Sequence, residues 1–387
     1  MLVLFPSDTF ETHKPDPGYA VEVEIAKEHG HEVAFIHHES LVNNDDAQAA
    51  VQGCPDLEED TPAIYRGWMV TSKQYEQLYE ALQTCGIELL TTPDQYKKAH
   101  ELPGWYLEIP EMTPASAIIQ KHELRMENLL DRAKELLEKC PHGILIKDYV
   151  KSRKHEWEDA CFIPDMSKAE MVITNFIERQ GEDLQGGVVL REFVPLKTIG
   201  LHPGSGMPMS EELRIFWVNY RPVVATEYWP AEFYKEGVEK VLDTLPDPSM
   251  LGEVAERIGS PFITMDMARK DDGEWIIIEI GDGQVSGFPD GEGDAELFYH
   301  RLDEALSFAG IDPDAPPLTQ TEFDQMTCSD SSCDHTAHDR QMMIHPKCHV
   351  GTPTWCIYEN GVMDIRCAEC NSLVVRIAVD PGNVVIH

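Results

Sequence analysis

Between residues 143 and 280 the chain has six apolar runs of strand length, and charged residues stand inside them where a strand should be apolar. Lys147 interrupts GILIKDYV (143–150), with Lys151 and Lys154 close behind. Arg191 and Glu192 interrupt GGVVLREFV (186–194). Glu212 and Arg214 share one face of ELRIFWVN (212–219). Asp266 sits inside FITMDMAR (262–269), and Glu279 sits near the end of WIIIEI (275–280). A charge in a half-buried strand is costly unless it is paired or faces a cleft. Structural ion pairs or exposed strand faces would explain any one of these residues. The order of the set points further: the bases come first and the two acids last. That order suits a site in which lysines hold a polyphosphate and carboxylates from a hairpin hold its Mg²⁺.

The rest of the pattern sets the fold class. Residues 1–92 alternate short apolar strands (2–5, 32–37, 62–70, 87–90) with helices at 18–29 and 72–85, the βαβ rhythm of an open α/β sheet. No GxGxxG motif is present, so a dinucleotide fold has no support. Thr113-Pro114 has the form of a helix start, a hydroxyl N-cap followed by proline, ahead of apolar residues at helical spacing from Met126 to Leu137. The strand-like runs follow, with helices predicted near 167–180, 231–243, 249–258 and 294–309. Asp272-Gly273 marks a hairpin. The expectation is an α/β domain over 1–110, a largely antiparallel α+β domain over 111–310, a Pro/Asp-rich linker over 311–327 and a separate small module over 328–387.

Composition narrows the function classes. The 387 residues carry 31 Lys+Arg against 69 Asp+Glu, a net charge of −38. A nucleic-acid binder normally presents a basic face, so none is expected here. No apolar run approaches the roughly 18 residues of a membrane span. The N-terminus reads as a strand and not a signal peptide. A cytoplasmic location with no membrane association follows as the expectation.

At this point the sequence resembles the ATP-grasp superfamily. The order ILIK (144–147), VVLREFV (188–194), ELRIFWV (212–218), ITMDMA (263–268), IIIEIGDG (276–283) is family-like. It is most similar to the phage and bacterial clade related to a eukaryotic cell-division-cycle protein that assists assembly of a translation initiation factor. The resemblance implies an ATP-grasp fold with an N-terminal α/β pre-ATP-grasp domain and an antiparallel-sheet ATP-binding domain. It implies that Lys147 contacts the ATP phosphates with Lys154 or Lys151 assisting, and that Glu192 sits at the adenine/ribose hinge. Arg191 and Glu212 complete the nucleotide-binding set, and Arg214 touches the γ-phosphate or an acyl phosphate. Asp266 and Glu279 hold Mg²⁺. The family commonly ends this motif Glu-x-Asn; here Gly281 follows Ile280, and Asp282 is the nearest replacement oxygen. The implied activity is ATP-dependent ligation of a carboxylate to an amine through an acyl phosphate, on small-molecule, peptide or protein substrates. The alternative is an ATP-binding assembly factor for a protein partner, without ligation. Tyr65-Arg66-Gly67-Trp68 places an arginine at the C-terminal end of a strand, where open α/β sheets bind ligands. Arg66 reads either as a substrate or phosphate contact or as a surface arginine.

Six of the ten cysteines crowd into the last 60 residues with His335, His338, His345 and His349. In a chain expected to be cytosolic such a cluster suggests metal more than disulfide. Cys367-x₂-Cys370 is a knuckle between two strand-like runs. Cys348 with His345 or His349 offers the other half of a tetrahedral zinc site. Cys328, Cys333, His335 and His338 offer a second site. The alternative is a reduced cysteine-rich β module. Either form could serve as a surface for a protein partner.

Overall fold

The computed structural model describes residues 1–203, 207–230, 233–234, 245–246, 248–307, 354–359, 362–367 and 373–378. Four short strands open the chain: β1 (Leu2–Pro6), β2 (Glu32–Ile36), β3 (Thr61–Tyr65) and β4 (Ile87–Leu89). They form one parallel sheet in the order β2-β1-β3-β4. Every residue of β1 is buried, as a strand covered on both faces requires. Leu2 and Leu4 pack with the helix Ser72–Gln83; Val3 and Phe5 pack with the helices Ala20–Glu28 and Glu292–Ser307. The third strand ends at Tyr65, short of the predicted residue 70, so Arg66 leaves the sheet at its C-terminal edge.

The second sheet is antiparallel: β5 (Ser116–Gln120), β6 (Ile144–Asp148), β7 (Phe162–Ile163) and β8 (Gly187–Glu192), ordered β5-β8-β6-β7. Ile144, Ile146, Val188 and Leu190 pack against the helices Met126–Leu137 and Met166–Gln180. The helix start expected at Thr113-Pro114 is not there. The β-branched pair Ile118-Ile119 takes the chain into β5, paired with β8, and the helix begins only at Met126. The Thr113 hydroxyl serves tertiary structure: it donates to the Ile277 carbonyl (2.8 Å) and accepts from Arg191 Nη2 (2.5 Å).

A short hairpin of β9 (Thr198–Leu201) and β10 (Pro208–Ser210) leads into the third sheet. This sheet contains β11 (Glu212–Val218), β12 (Arg221–Glu227), β13 (Phe262–Arg269) and β14 (Trp275–Asp282), antiparallel throughout and ordered β12-β11-β13-β14. The Asp272-Gly273 hairpin forms as predicted, with Gly273 at φ 92°. The β11–β12 hairpin turns on Asn219 and Tyr220 at φ 47° and 64°, so β12 starts at Arg221, two residues before the apolar run VVATEYW (223–229). Ile215, Trp217, Ile263, Met265 and Met267 pack with Ala99, Leu102, Trp105 and Ile109 and with the helix Pro248–Ile258. Phe216, Val218 and Phe262 share a core with Val3 and Phe5 of the first sheet. The N-terminal unit is therefore cemented to the third sheet.

Three further strands, β15 (Thr354–Glu359), β16 (Val362–Cys367) and β17 (Leu373–Ala378), make an antiparallel meander. Cys367 is the last residue of β16 and pairs through its backbone with Thr354. The expected linker over 311–327, Cys328, Cys333, His335, His338, His345, Cys348, His349 and Cys370 lie outside the described residues, as does most of the helix expected over 231–243. Among the described residues no helix is long and apolar enough to cross a membrane.

Candidate active site between two antiparallel sheets

A cavity of about 360 Å³ separates the second sheet from the third. Lys147, Lys154, Arg191, Glu192, Glu212 and Glu279 all line it. The remaining wall is largely apolar: Leu145, Ile146, Trp157, Phe193, Val194, Pro195, Leu196 and Ile278. An apolar slot with a few convergent polar groups is the usual form of a small-molecule site. Residues 192–196 run from the end of β8 towards β9 and form part of the lining, so Glu192 stands where the chain crosses from one sheet to the next. Its carboxylate accepts the Ala115 N–H (3.2 Å).

Strand register organises the charges. Arg214 on β11, Asp266 on β13 and Glu279 on β14 are consecutive cross-strand partners in one row. Arg214 grips Asp266 with two bonds, Nε to Oδ1 and Nη2 to Oδ2, each 2.8 Å. Its Nη1 donates to the Gly287 carbonyl (3.1 Å), and its guanidinium lies over the Tyr228 ring at 4.9 Å. At the other end of the row Lys147 Nζ reaches across from β6 to Glu279 Oε1, 2.8 Å away. A single line of charge thus joins the two sheets: Arg214, Asp266, Glu279, Lys147.

Burial and neighbours set the protonation states. Burial acts to raise the Glu279 pKa, but Lys147, Lys154 and Arg191 outweigh it and hold the carboxyl at about 2. Burial raises Asp266, with Arg214 opposing and the adjacent Glu279 charge adding to the rise. Burial pushes Glu212 up to about 7, against the pull of Lys154 and of the Ser210 hydroxyl, which donates to it at 3.1 Å. Burial lowers Arg191 to about 10, with Glu279 pulling it part of the way back. Arg191 lies over Trp105 at 5.4 Å, and its Nε has no hydrogen-bond partner among the described residues.

Three expectations from the sequence need correction. Lys151 is not part of the cavity wall. The Asp148 carboxylate accepts the Val150 and Lys151 N–H groups (2.7 and 2.5 Å) and turns the chain so that Ser152 and Lys154 line the cavity instead. Asp282 is not beside Glu279. Three residues further along a strand, it points to the opposite face, where it is 0 % exposed and caps the single turn Gly283–Val285 through the Gln284 N–H (3.0 Å). Burial raises its pKa to about 7, and its Oδ2 has no partner among the described residues. Arg66 is neither on the surface nor in the cavity. It is 1 % exposed, paired with Glu22 (2.8 Å), and donates to the Gly283 and Ser286 carbonyls at 2.5 and 2.9 Å. It therefore ties the first sheet to the turn that follows β14.

Some site residues left no clear trace in the sequence. Ser210, Thr113 and the apolar lining from Phe193 to Leu196 are ordinary residues until the two sheets face each other. Gln284 is another: its side chain accepts the Tyr65 N–H (3.1 Å) and donates to the Tyr75 hydroxyl (2.9 Å). The signal that could have found it is a polar residue just past a metal-type hairpin strand.

Asp266 and Glu279 are hard oxygen donors, adjacent in register and directed to one face, and so fit Mg²⁺ in kind. No group of three or more His, Cys, Asp or Glu able to hold a metal occurs among the described residues. In nucleotide sites Mg²⁺ is bound by one or two carboxylates together with phosphate oxygens and water.

Two antiparallel sheets around such a cavity define the class: this is the ATP-grasp fold. Residues 139–302 match a family model described as an ATP-grasp domain, the third family of its clade. D-cycloserine synthetase DcsG superposes with a TM-score of 0.51 at 13% identity, over 79% of this chain and 100% of that one. This likeness is one of fold. D-alanyl-alanine synthetase A from Vibrio cholerae O1 biovar eltor str. N16961 gives 0.47 at 12% identity over 79% and 96% of the two chains. C-terminally truncated Cdc123 from Schizosaccharomyces pombe gives 0.37 at 12% identity over 49% and 85%. No curated protein sequence matches the chain.

Proposed function

We propose that the chain is an ATP-dependent carboxylate–amine ligase acting through an acyl phosphate. The observation that carries this reading is the charged row Arg214–Asp266–Glu279–Lys147, whose Glu279 and Lys147 end lines the cavity between the two sheets. ATP lies in the cavity with its base in the apolar slot near Phe193 and Leu196. Lys147 and Lys154 hold the phosphates, and Arg191 adds a third positive charge. Asp266 and Glu279 hold Mg²⁺, which when bound neutralises phosphate charge. A substrate carboxylate oxygen attacks the γ-phosphorus, the bond to the β,γ-bridging oxygen breaks, and ADP leaves. The amine nitrogen then attacks the acyl carbon, the C–O bond to phosphate breaks, and inorganic phosphate leaves as the nitrogen loses a proton. Such transfer depends on positioning and charge neutralisation. Arg214, at the end of the row, steadies the transferred phosphoryl group. Small molecules and peptides are both admissible carriers of the carboxylate and the amine.

The test is release of ADP and phosphate over a panel of carboxylates and amines, with mass spectrometry of the products. Lys147→Ala or Glu279→Ala should abolish partner-dependent turnover while the fold survives. Full activity in both would overturn the reading. Tight ATP binding with no partner-dependent turnover would indicate an assembly factor instead.

The tail is proposed to hold one structural zinc through Cys367, Cys370, Cys348 and His345 or His349, and to offer a surface to a protein partner. The support is that β16 ends at Cys367 and β17, its antiparallel partner, begins at Leu373, so that Cys370 falls in sequence between two paired strands. Elemental analysis should show about one zinc per chain.

A further inference from the structure

Beside the Asp266–Glu279 pair the sheet carries a second cross-strand pair on the same face, Thr264 and Gly281. Thr264 lies two residues before Asp266 on β13, and Gly281 two residues after Glu279 on β14. Alternation along both strands directs all four positions to one face. They form the corners of a patch about 5 Å across the strands and about 7 Å along them. Three corners carry oxygen; the fourth, Gly281, is bare.

Thr264 is 2 % exposed, and its hydroxyl is held in a chain of contacts. Ser286 Oγ donates to the Asp282 carbonyl at 2.8 Å. Thr264 Oγ1 and Ser286 Oγ are 3.0 Å apart. A serine hydroxyl has one proton. If that proton goes to Asp282, the only arrangement that satisfies both contacts has Thr264 donating to Ser286. The Thr264 oxygen then has its proton committed and both lone pairs free. An acceptor with no donor, inside a patch already holding two carboxylates, is a cation's environment. The missing side chain at Gly281 is what leaves it clear: a Cβ there would come within 2.8 Å of Thr264 Oγ1 and 3.3 Å of Ser286 Oγ.

We propose that the Thr264 hydroxyl oxygen completes the divalent-cation position of Asp266 and Glu279, with Ser286 fixing its proton. The inference rests on the reading of that pair as the Mg²⁺ ligands. It assigns to Thr264 the protein oxygen that Asp282, facing the other way, cannot supply.

The experiment is Mn²⁺ binding to the full chain, followed by electron paramagnetic resonance with a non-hydrolysable ATP analogue present. Thermal unfolding is recorded for each variant. The wild type should take up Mn²⁺, and Glu279→Gln should lose it. Thr264→Val, which keeps the shape, should weaken Mn²⁺ at least five-fold, and Thr264→Ser should restore it to within two-fold of the wild type. Gly281→Ala should weaken Mn²⁺ as Thr264→Val does, because its methyl displaces the hydroxyl without removing it. If Thr264→Val does not fold, Thr264→Ala is read in the same way. Wild-type affinity in the folded hydroxyl-less variant overturns the assignment of Thr264 while the Asp266–Glu279 reading stands. No Mn²⁺ uptake by the wild type overturns both.

Discussion

Lys147 Nζ and Glu279 Oε1 meet 2.8 Å apart across the gap between two sheets that share no strand. On the proposed function each partner is what the other would give up on binding Mg·ATP: the ammonium would turn to the phosphates and the carboxylate to the metal. Arg214 and Asp266 repeat the relationship two strands away. All four charges of the row are met by internal partners.

On that reading metal and nucleotide should help each other to bind. A divalent ion alone must compete with Lys147 and Arg214 for its carboxylates. ATP alone must compete with Glu279 for Lys147 and meets an acid facing its phosphates. Together they exchange two internal pairs for new ones. Calorimetric titration of Mg²⁺ should show an affinity at least ten-fold higher with nucleotide present than without, a coupling of about 1.4 kcal/mol. Equal affinities would show that the pairs do not hold the ligand groups.

Glu212 and Glu279 should respond differently to amidation. Burial keeps Glu212 protonated up to about pH 7, whereas Glu279 is ionised from about pH 2 upward. At pH 6 Glu212→Gln replaces a mostly neutral group by a neutral one of the same shape. Glu279→Gln removes a charge that faces Lys147 and Lys154. The dissociation constant for Mg·ATP at pH 6 should change less than three-fold in the first variant and more than ten-fold in the second. Equal losses would contradict the proton placed on Glu212.

Arg66 should matter to stability more than any exposed arginine. Its guanidinium satisfies Glu22 and two carbonyls of the turn after β14, and it stacks on Phe288 at 4.4 Å. Arg66→Met leaves the largely buried Glu22 without its cation, a loss of about 3–5 kcal/mol in a buried pair. Arg66→Lys should recover little, since one ammonium cannot reproduce the guanidinium fork. Urea unfolding would measure both. A loss under about 1 kcal/mol for Arg66→Met would mean that the turn is held by Gln284 alone.

How far the sequence disclosed this depends on which physical signal each residue left. Lys147, Asp266 and Glu279 were legible because charge inside an apolar strand is costly and asks for a partner. Asp282 was misplaced because the motif supplied proximity in sequence, while period-two alternation sent the side chain to the other face. Thr113-Pro114 carried a sound local helix-start signal, which the pairing of β5 with β8 overrode. Arg66 was placed at the right end of its strand, but no local pattern says that a later turn will close over it. Gln284 and the Phe193–Leu196 wall act only through contacts made by distant elements.

The last expectation concerns acid. His100 is 6 % exposed, stacked on Tyr96 at 4.9 Å, and its Nε2 has no hydrogen-bond partner among the described residues. Burial lowers its pKa to about 4, with Lys147 and Lys151 adding to the fall and Glu279 opposing it. The unfolded chain binds the His100 proton near pH 6.5, and the folded chain binds it only near 4. Protons therefore favour the unfolded state between those values. The stability associated with neutral His100 is complete above pH 6.5 and is lost as pH falls through 4. The full difference is about 3 kcal/mol. Stability measured by urea unfolding from pH 7 to 4 should decline, and His100→Phe, which stacks but does not titrate, should make the decline shallower by that amount. Parallel curves for the two proteins would show that His100 gains its proton in the folded state as readily as in water.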